Sequence, residues 1–211
     1  LNFCTIELSA FYFDIRKDCL YCDDVRSLKR RSTSTCLNVI FEFLTKWLSP
    51  IVTFTCEEAW RAREYGNNDS ILLQNINNED FKFKDISLDT VFKELKRVRK
   101  SVTSALEIKR NEKLIGSSLQ AKVTLFLSQA TKDIIKVLDL AEMCIVSNIE
   151  IQDIKKKSRE SLNFEDDDIY VEIKSANGEK CQRCWTVLPE VSSNKNNLCK
   201  RCEDVWESLQ Q

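Results

Sequence analysis

The 211-residue sequence contains no histidine. Ser-His-Asp triads, Cys-His dyads, histidine general bases and histidine metal ligands are therefore excluded from this chain. Glycine and proline are also scarce, at three and two residues. Because an all-β sandwich needs a turn about every 8–12 residues, this shortage favours long helices with few connections. The fold is predicted to be mainly α.

Membrane and secretion signals are missing as well. No apolar run approaches the roughly 18 residues that span a bilayer, and no signal-peptide pattern is present. Ten cysteines without such a signal indicate the reducing cytosol, so we expect a cytoplasmic location and no membrane contact. One methionine and a leucine at position 1 lead us to expect a fragment of a longer chain. The net charge is -1, so an anionic partner would need local basic patches.

Apolar residues recur at steps of three and four along three stretches, which is typical of amphipathic helices. These are residues 25–47, 51–60 and 88–109. Ser49 and Pro50 are predicted to be the N-cap and first residue of the second helix. After Gly116 the pattern is mixed, and residues 121–127 and 169–173 are rich in β-formers. The predicted segments are a helical bundle (1–115), a small α/β element (116–175) and a tail (176–211).

The tail carries a cysteine pattern of clear chemical meaning. Cys181-x-x-Cys184 and Cys199-x-x-Cys202 are separated by 14 residues, the ligand spacing of a Cys4 zinc ribbon. Four thiolates would fill the tetrahedral shell of one Zn²⁺ and leave no open position, so the zinc is predicted to be structural. Zinc binding would supply about 10–16 kcal/mol to a tail too small for its own core. Four unconnected thiols or two disulfides remain the alternatives.

The other cysteines point to packing. Cys19 and Cys22 have no second pair at ribbon distance, and we predict a packed turn at the head of a helix. A redox pair or half of a metal site is the alternative. Four further cysteines lie in apolar runs and are predicted to be small core residues. They are Cys4, Cys36, Cys56 and Cys144.

Clustered basic residues are the other candidate functional feature. They lie within two of the predicted helices and beside the cysteines of the tail. Each group alone is more typical of a solvated helix face. Combined with an aromatic ring, they would supply what single-stranded RNA requires, namely cations for phosphates and a flat surface for an unpaired base. The candidate RNA-binding residues are Arg30, Arg31, Arg97, Lys100, Arg183 and Trp185.

Seven short blocks, spread over nearly the whole chain, carry a family resemblance. They are residues 8–18 (LSAFYFDIRKD), 20–23 (LYCD), 48–51 (LSPI), 57–60 (EEAW), 115–121 (IGSSLQA), 178–185 (GEKCQRCW) and 198–202 (LCKRC). The first four resemble the anticodon-binding region of bacterial isoleucyl-tRNA synthetases. The fifth is similar to the following subdomain of that family, and the last two to its C-terminal zinc motif.

The resemblance implies a class I synthetase-type anticodon-binding helical bundle, then a small α/β element and a C-terminal Cys4 zinc ribbon. It implies a whole enzyme that charges tRNA(Ile) with isoleucine, using ATP, and that edits its errors. The partners would be the anticodon arm of tRNA(Ile) and the catalytic and editing domains of the same polypeptide. The signature His-Ile-Gly-His needs histidine, and Lys-Met-Ser-Lys-Ser is absent, so ATP would bind outside this chain. No catalytic residue is assigned here.

Two other functions fit the same residues. One is an adaptor whose zinc ribbon binds another protein while its basic faces are merely solvated. The other is the anticodon-binding part of a valyl or methionyl ligase. The terminal cysteines and residues 115–121 favour isoleucine by resemblance, although the pocket that selects the amino acid lies outside this chain.

Overall fold

Helices dominate the computed structural model, which describes residues 2–63, 69–75, 85–164 and 166–210. A π-helical segment, Phe3–Phe13, runs directly into the first α-helix. The α-helices are α1 (Asp14–Cys22), α2 (Leu28–Leu48), α3 (Thr53–Arg61), α4 (Ile86–Asn111), α5 (Gln129–Ile135), α6 (Leu140–Cys144) and α7 (Lys200–Ser208). The strands are β1 (Ala121–Leu127), β2 (Asn148–Asp153), β3 (Ile169–Ser175), β4 (Glu179–Lys180) and β5 (Val187–Leu188).

The chain forms two compact units. The first combines Leu1–Cys22 with Asp85–Gln211, and the second is Asp23–Lys84. A mainly helical chain with a small sheet agrees with the predicted fold class. The compact units follow different limits from the three predicted segments, and that division along the sequence stays a prediction.

In the first unit, α4 and a three-stranded sheet enclose the main core. The strand order is β2-β1-β3, with β1 parallel to β2 and antiparallel to β3. Alternate residues of β1 are fully buried, as expected when one face of a sheet covers a core. The buried stripe of α4 lies among them in one apolar cluster. This stripe is Leu95, Val98, Val102, Ala105 and Leu106, which confirms the predicted helix.

In the second unit, α2 and α3 meet through an aromatic pair. The rings of Phe41 and Trp60 are stacked, with centroids 6.4 Å apart and planes 6° from parallel. The guanidinium of Arg63 lies 5.6 Å from the Phe41 centroid and 5.5 Å from that of Trp60. The same side chain donates a hydrogen bond of 2.7 Å to Glu42. Cation-π contacts and ring stacking therefore hold these two helices together.

The prediction that Ser49 and Pro50 start a helix was wrong. Ser49 ends α2: its backbone N–H donates to Thr45 and its hydroxyl to the carbonyl of Lys46. The next helix, α3, begins only at Thr53. Serine followed by proline suits both ends of a helix, because proline is also common just after a C-cap, where it cannot continue the helix.

Candidate metal centre

The four cysteines of the tail converge in the first unit. Their Sγ atoms all lie within 4.8 Å of one another, and all four residues are buried. The Sγ atoms of Cys184 and Cys199 are 3.7 Å apart. A tetrahedral ion with sulfur ligands at about 2.3 Å has sulfur-sulfur edges of about 3.8 Å, whereas a disulfide bond is about 2.05 Å long. The donor set therefore fits one tetrahedral metal ion and does not match the two-disulfide alternative.

Two tight turns present these sulfurs. In the first turn, between β4 and β5, the N–H of Trp185 donates to the carbonyl of Cys181 at 3.0 Å. Trp185 takes a left-handed backbone conformation, with φ of 67°. In the second turn, Cys199 is the N-cap of α7 and Cys202 lies in its first turn. The positive end of a helix dipole favours thiolates at this place.

Hydrogen bonds to sulfur support the centre. The backbone N–H of Cys199 donates to Sγ of Cys181 at 3.3 Å, and the guanidinium of Arg183 donates to Sγ of Cys202 at 3.7 Å. A hydrogen bond with Cys202 lowers the pKa of the Cys184 thiol to about 4. Burial raises the pKa of Cys199 to about 11, and the bond to Cys184 raises the pKa of Cys202. A divalent ion that binds these sulfurs would displace their remaining protons.

Two arginines tie the cysteine turns to α1. Arg183 donates to the carbonyl oxygens of Tyr21, at 3.0 Å, and of Cys22. Arg201 forms a bidentate ion pair with Asp18, with contacts of 2.5 and 2.9 Å. These bonds raise the pKa of Arg201, so its charge is retained. The last turn of α1 is therefore fixed to both cysteine turns.

Cys19 and Cys22 lie inside α1, not in a turn at the head of a helix as predicted. Both are buried, and Cys22 packs in one cluster with the four cysteines of the tail. Burial raises the pKa of Cys22 to about 11, so this thiol stays protonated at neutral pH. Of the predicted core cysteines, Cys56 and Cys144 are buried, but Cys4 and Cys36 are exposed.

Neutralising Asp18 tests the connection between α1 and the tail. In Asp18→Asn we expect a loss of about 1 kcal/mol in the free energy of unfolding, because a partly exposed bidentate ion pair is removed. Hydrogen exchange of backbone amides in α1 should become faster. Asp204→Asn is the matched control, since Asp204 is exposed on α7. Equal losses in the two variants would contradict a specific role for the Asp18 pair.

The six RNA-binding candidates occupy both units. Arg30 donates to the carbonyl of Asp23 at 2.8 Å, and Arg31 is exposed, both in the second unit. Lys100 is exposed on α4. Arg183 and Trp185 lie in the first cysteine turn. The indole of Trp185 is 59% exposed, and the ammonium of Lys180 lies 4.7 Å from its centroid. The structure thus brings Arg183 and Trp185 to the metal centre, and RNA contact by all six stays a prediction.

Arg97 has three carboxylate partners, two of which are distant in the sequence. Its guanidinium contacts Glu94 at 2.8 Å, Asp166 at 3.1 Å and Asp168 at 2.9 Å. The hydrogen bonds to Glu94 contribute most to raising the pKa of Arg97. The hydroxyl of Thr131 also donates to Glu94 at 3.0 Å, which satisfies this buried carboxylate. The charge of Arg97 is therefore matched within the protein by one carboxylate of α4 and two from the turn just before β3.

Sequence comparison defines the class of protein to which this fold and centre belong. Residues 1–125 match the family described as the anticodon-binding domain of tRNA ligase. Because the match covers more than half of the chain, the chain belongs to this family. Residues 178–205, which contain the four cysteines, match the zinc finger found in FPG and IleRS.

Individual relatives are isoleucine-tRNA ligases. The chain is 40% identical to that of Gluconobacter oxydans over 206 residues, which are 97% of this chain and 20% of the relative. It is 38% identical to that of Ruegeria pomeroyi, over 96% of this chain and 21% of the relative. For Agrobacterium fabrum the identity is 39%, over 92% of this chain and 20% of the relative. The chain thus spans about a fifth of the length of these relatives. Within the part that the structure describes, no helix is long and apolar enough to cross a membrane.

Proposed function

We propose that this chain is the C-terminal anticodon-recognition part of an isoleucine-tRNA ligase. The observation that carries the proposal is the combination, in one chain, of the anticodon-binding family match with a four-cysteine centre inside the matched zinc finger. Alignment over 97% of the chain with a ligase of that name adds support. The whole protein would be a cytoplasmic class I enzyme that uses ATP to charge tRNA(Ile), with its catalytic and editing domains outside this chain.

We further propose that Cys181, Cys184, Cys199 and Cys202 hold one structural Zn²⁺. Bound zinc would supply a fixed tetrahedral crosslink between the two cysteine turns and no reactive position, because all four ligands are protein sulfurs. Arg183 and Arg201 would then transmit this rigidity to α1 through the contacts with Asp18, Tyr21 and Cys22.

In this proposal the chain acts by positioning. Binding of the anticodon arm contributes to charging only where it places the distant acceptor end better in the transition state. Exposed Trp185 offers a flat ring, with the ammonium of Lys180 over one face, to an unstacked base. Loss of this region should therefore impair charging of tRNA much more than formation of isoleucyl-adenylate.

Titration with two tRNA transcripts tests the proposal. We expect the 211-residue chain to bind a tRNA(Ile) transcript about tenfold to a hundredfold more tightly than the same transcript with an altered anticodon, since each stacked base is worth about 1–3 kcal/mol. Fluorescence anisotropy measures both dissociation constants. Equal affinities would contradict anticodon recognition, and the absence of any binding would favour a protein-binding adaptor.

A further inference from the structure

Several basic side chains of the first unit have a carboxylate partner. The paired residues include Lys17 with Asp14, Lys96 with Glu7, Lys109 with Glu112, Arg110 with Glu107, Lys122 with Glu150 and Lys174 with Glu172. Such pairing leaves little net field at the surface for a polyanion. Among the residues that the structure describes, the exposed Lys93 and Lys136 also lack such a partner, so a surface is distinct only where several unpaired cations lie together.

Residues 155–159, here called the basic segment, place four cations close together in the sequence. The segment follows β2 and exposes Lys155, Lys156, Lys157 and Arg159. Among the residues that the structure describes, Lys155, Lys156 and Arg159 have no carboxylate oxygen within 4.0 Å. The carboxylate of the nearby Asp153 is paired with Lys132 at 3.8 Å. The backbone hydrogen bond from Lys155 contributes most to lowering the pKa of Asp153, and the charges of Lys155 and Lys156 also help to lower it. Four cations thus stand together on a chain whose net charge is -1.

The backbone of the basic segment is fixed before any ligand arrives. Lys155 and Lys156 lie in a short 3-10 turn, whose N-cap Asp153 accepts from the N–H of Lys155 at 2.9 Å. The ammonium of Lys157 lies 3.7 Å from the ring centroid of Tyr170 on β3. The hydroxyl of Ser158 donates to Glu172 at 3.0 Å. Because the segment is already ordered, a ligand would meet a low entropic cost of binding there.

We propose that the basic segment binds the phosphate backbone of tRNA, as a contact separate from the anticodon. This proposal rests on the proposed function, which supplies the RNA. Exposed ammonium and guanidinium groups are the ligands that phosphodiesters prefer. No aromatic residue lies among positions 155–159, and the ammonium of Lys157 lies over one face of the Tyr170 ring, so the segment itself offers cations. The contact should therefore hold the RNA without reading its bases.

RNA fits the segment better than an acidic protein does. Protein interfaces are depleted in lysine at their centres and depend on buried aromatic or apolar anchors. The basic segment consists of exposed polar residues and has no large apolar side chain among positions 155–159. A negatively charged backbone needs no such anchor, because its affinity comes from counterion release.

The test is a triple variant, Lys155→Gln with Lys156→Gln and Arg159→Gln, titrated with tRNA(Ile) at several salt concentrations. Removing three phosphate contacts should weaken binding about tenfold to a hundredfold at low salt and reduce the slope of log K against log salt by about 2. Anticodon discrimination should stay unchanged. The matched control, Lys109→Gln with Arg110→Gln and Lys113→Gln, removes the same charge at the end of α4 and should bind within about twofold of the unaltered chain.

Two results would overturn the proposal. One is a triple variant with unaltered affinity and salt slope, which would assign the segment to solvent or to an acidic protein. The other is an equal loss in the control variant, which would show an effect of net charge alone. Circular dichroism and zinc content of both variants verify their folding. An unaltered chain that binds tRNA without anticodon discrimination would contradict the proposed function, whereas the comparison of the two triple variants judges the basic segment.

Discussion

Cys181→Ser is expected to lose its zinc and to unfold residues 178–205. Structural zinc supplies about 10–16 kcal/mol of folding free energy in small domains, and a serine hydroxyl does not replace a thiolate ligand at neutral pH. The zinc content measured by metal analysis should fall from about one ion per chain to a small fraction of that value. Hydrogen exchange should become fast in α7 and in the last turn of α1, because the contacts of Arg183 depend on the first cysteine turn.

Cys36→Ser is the control for the metal prediction. Cys36 is an exposed cysteine on α2, so its replacement removes one thiol from the chain without touching the centre. It should keep full zinc content, unaltered stability and the tRNA affinity of the unaltered chain. A Cys181→Ser chain with full zinc content and normal tRNA binding would refute the assignment of the four ligands.

Gly178→Ala is expected to destabilise the ribbon by about 3 kcal/mol, with weaker retention of zinc. Gly178 has φ of +109°, which side chains rarely adopt. A Cβ atom there would lie 2.2 Å from the carbonyl carbon and oxygen of Leu188 and 2.4 Å from the nitrogen of Pro189. These neighbours are backbone atoms, so β5 itself would have to shift. Chemical denaturation and competition with a zinc chelator measure the two effects.

Gly116→Ala is the matched control for Gly178→Ala. Its added Cβ would approach only a side-chain atom, Oε1 of Gln120 at 3.2 Å, and its backbone has no positive φ. We expect a change within about 1 kcal/mol, because a flexible amide can move aside. Similar losses in both variants would contradict the steric argument for Gly178.

The sequence predicted those elements whose signals are local. The step of three and four along α4 specified its buried face, since one helix face must cover the sheet. The limits of β1 also agreed with the prediction. Cys36 was predicted wrongly because apolar neighbours indicate a helix but do not say which side is covered; in α2 the buried positions include Thr33 and Thr45. The direction of a helix face depends on tertiary packing, which residue type alone does not encode.

The candidate centre shows the same division between local and distant information. The spacing of the two Cys-x-x-Cys turns predicts metal binding, because each turn places two sulfurs on one side of a short loop. Arg183 binds carbonyl oxygens at the end of α1 that are 161 and 162 positions away in the sequence. No rule of residue spacing predicts such a contact. Arg97 was interpreted from its charge alone. Glu94 lies three residues away on the same helix, but Asp166 and Asp168, just before β3, meet Arg97 only in the folded chain.

At Trp185, the left-handed backbone conformation and the exposed indole favour different residue types. Glycine would adopt that conformation without strain. For a residue with a side chain, the left-handed conformation costs about 1–2 kcal/mol. An indole held there points outward from a rigid turn, as its 59% exposure reflects. Stability of the turn would thus favour glycine at this position, whereas stacking on a nucleobase would favour a large aromatic ring. We therefore expect few residue types at position 185, namely those whose side-chain contacts offset the backbone strain.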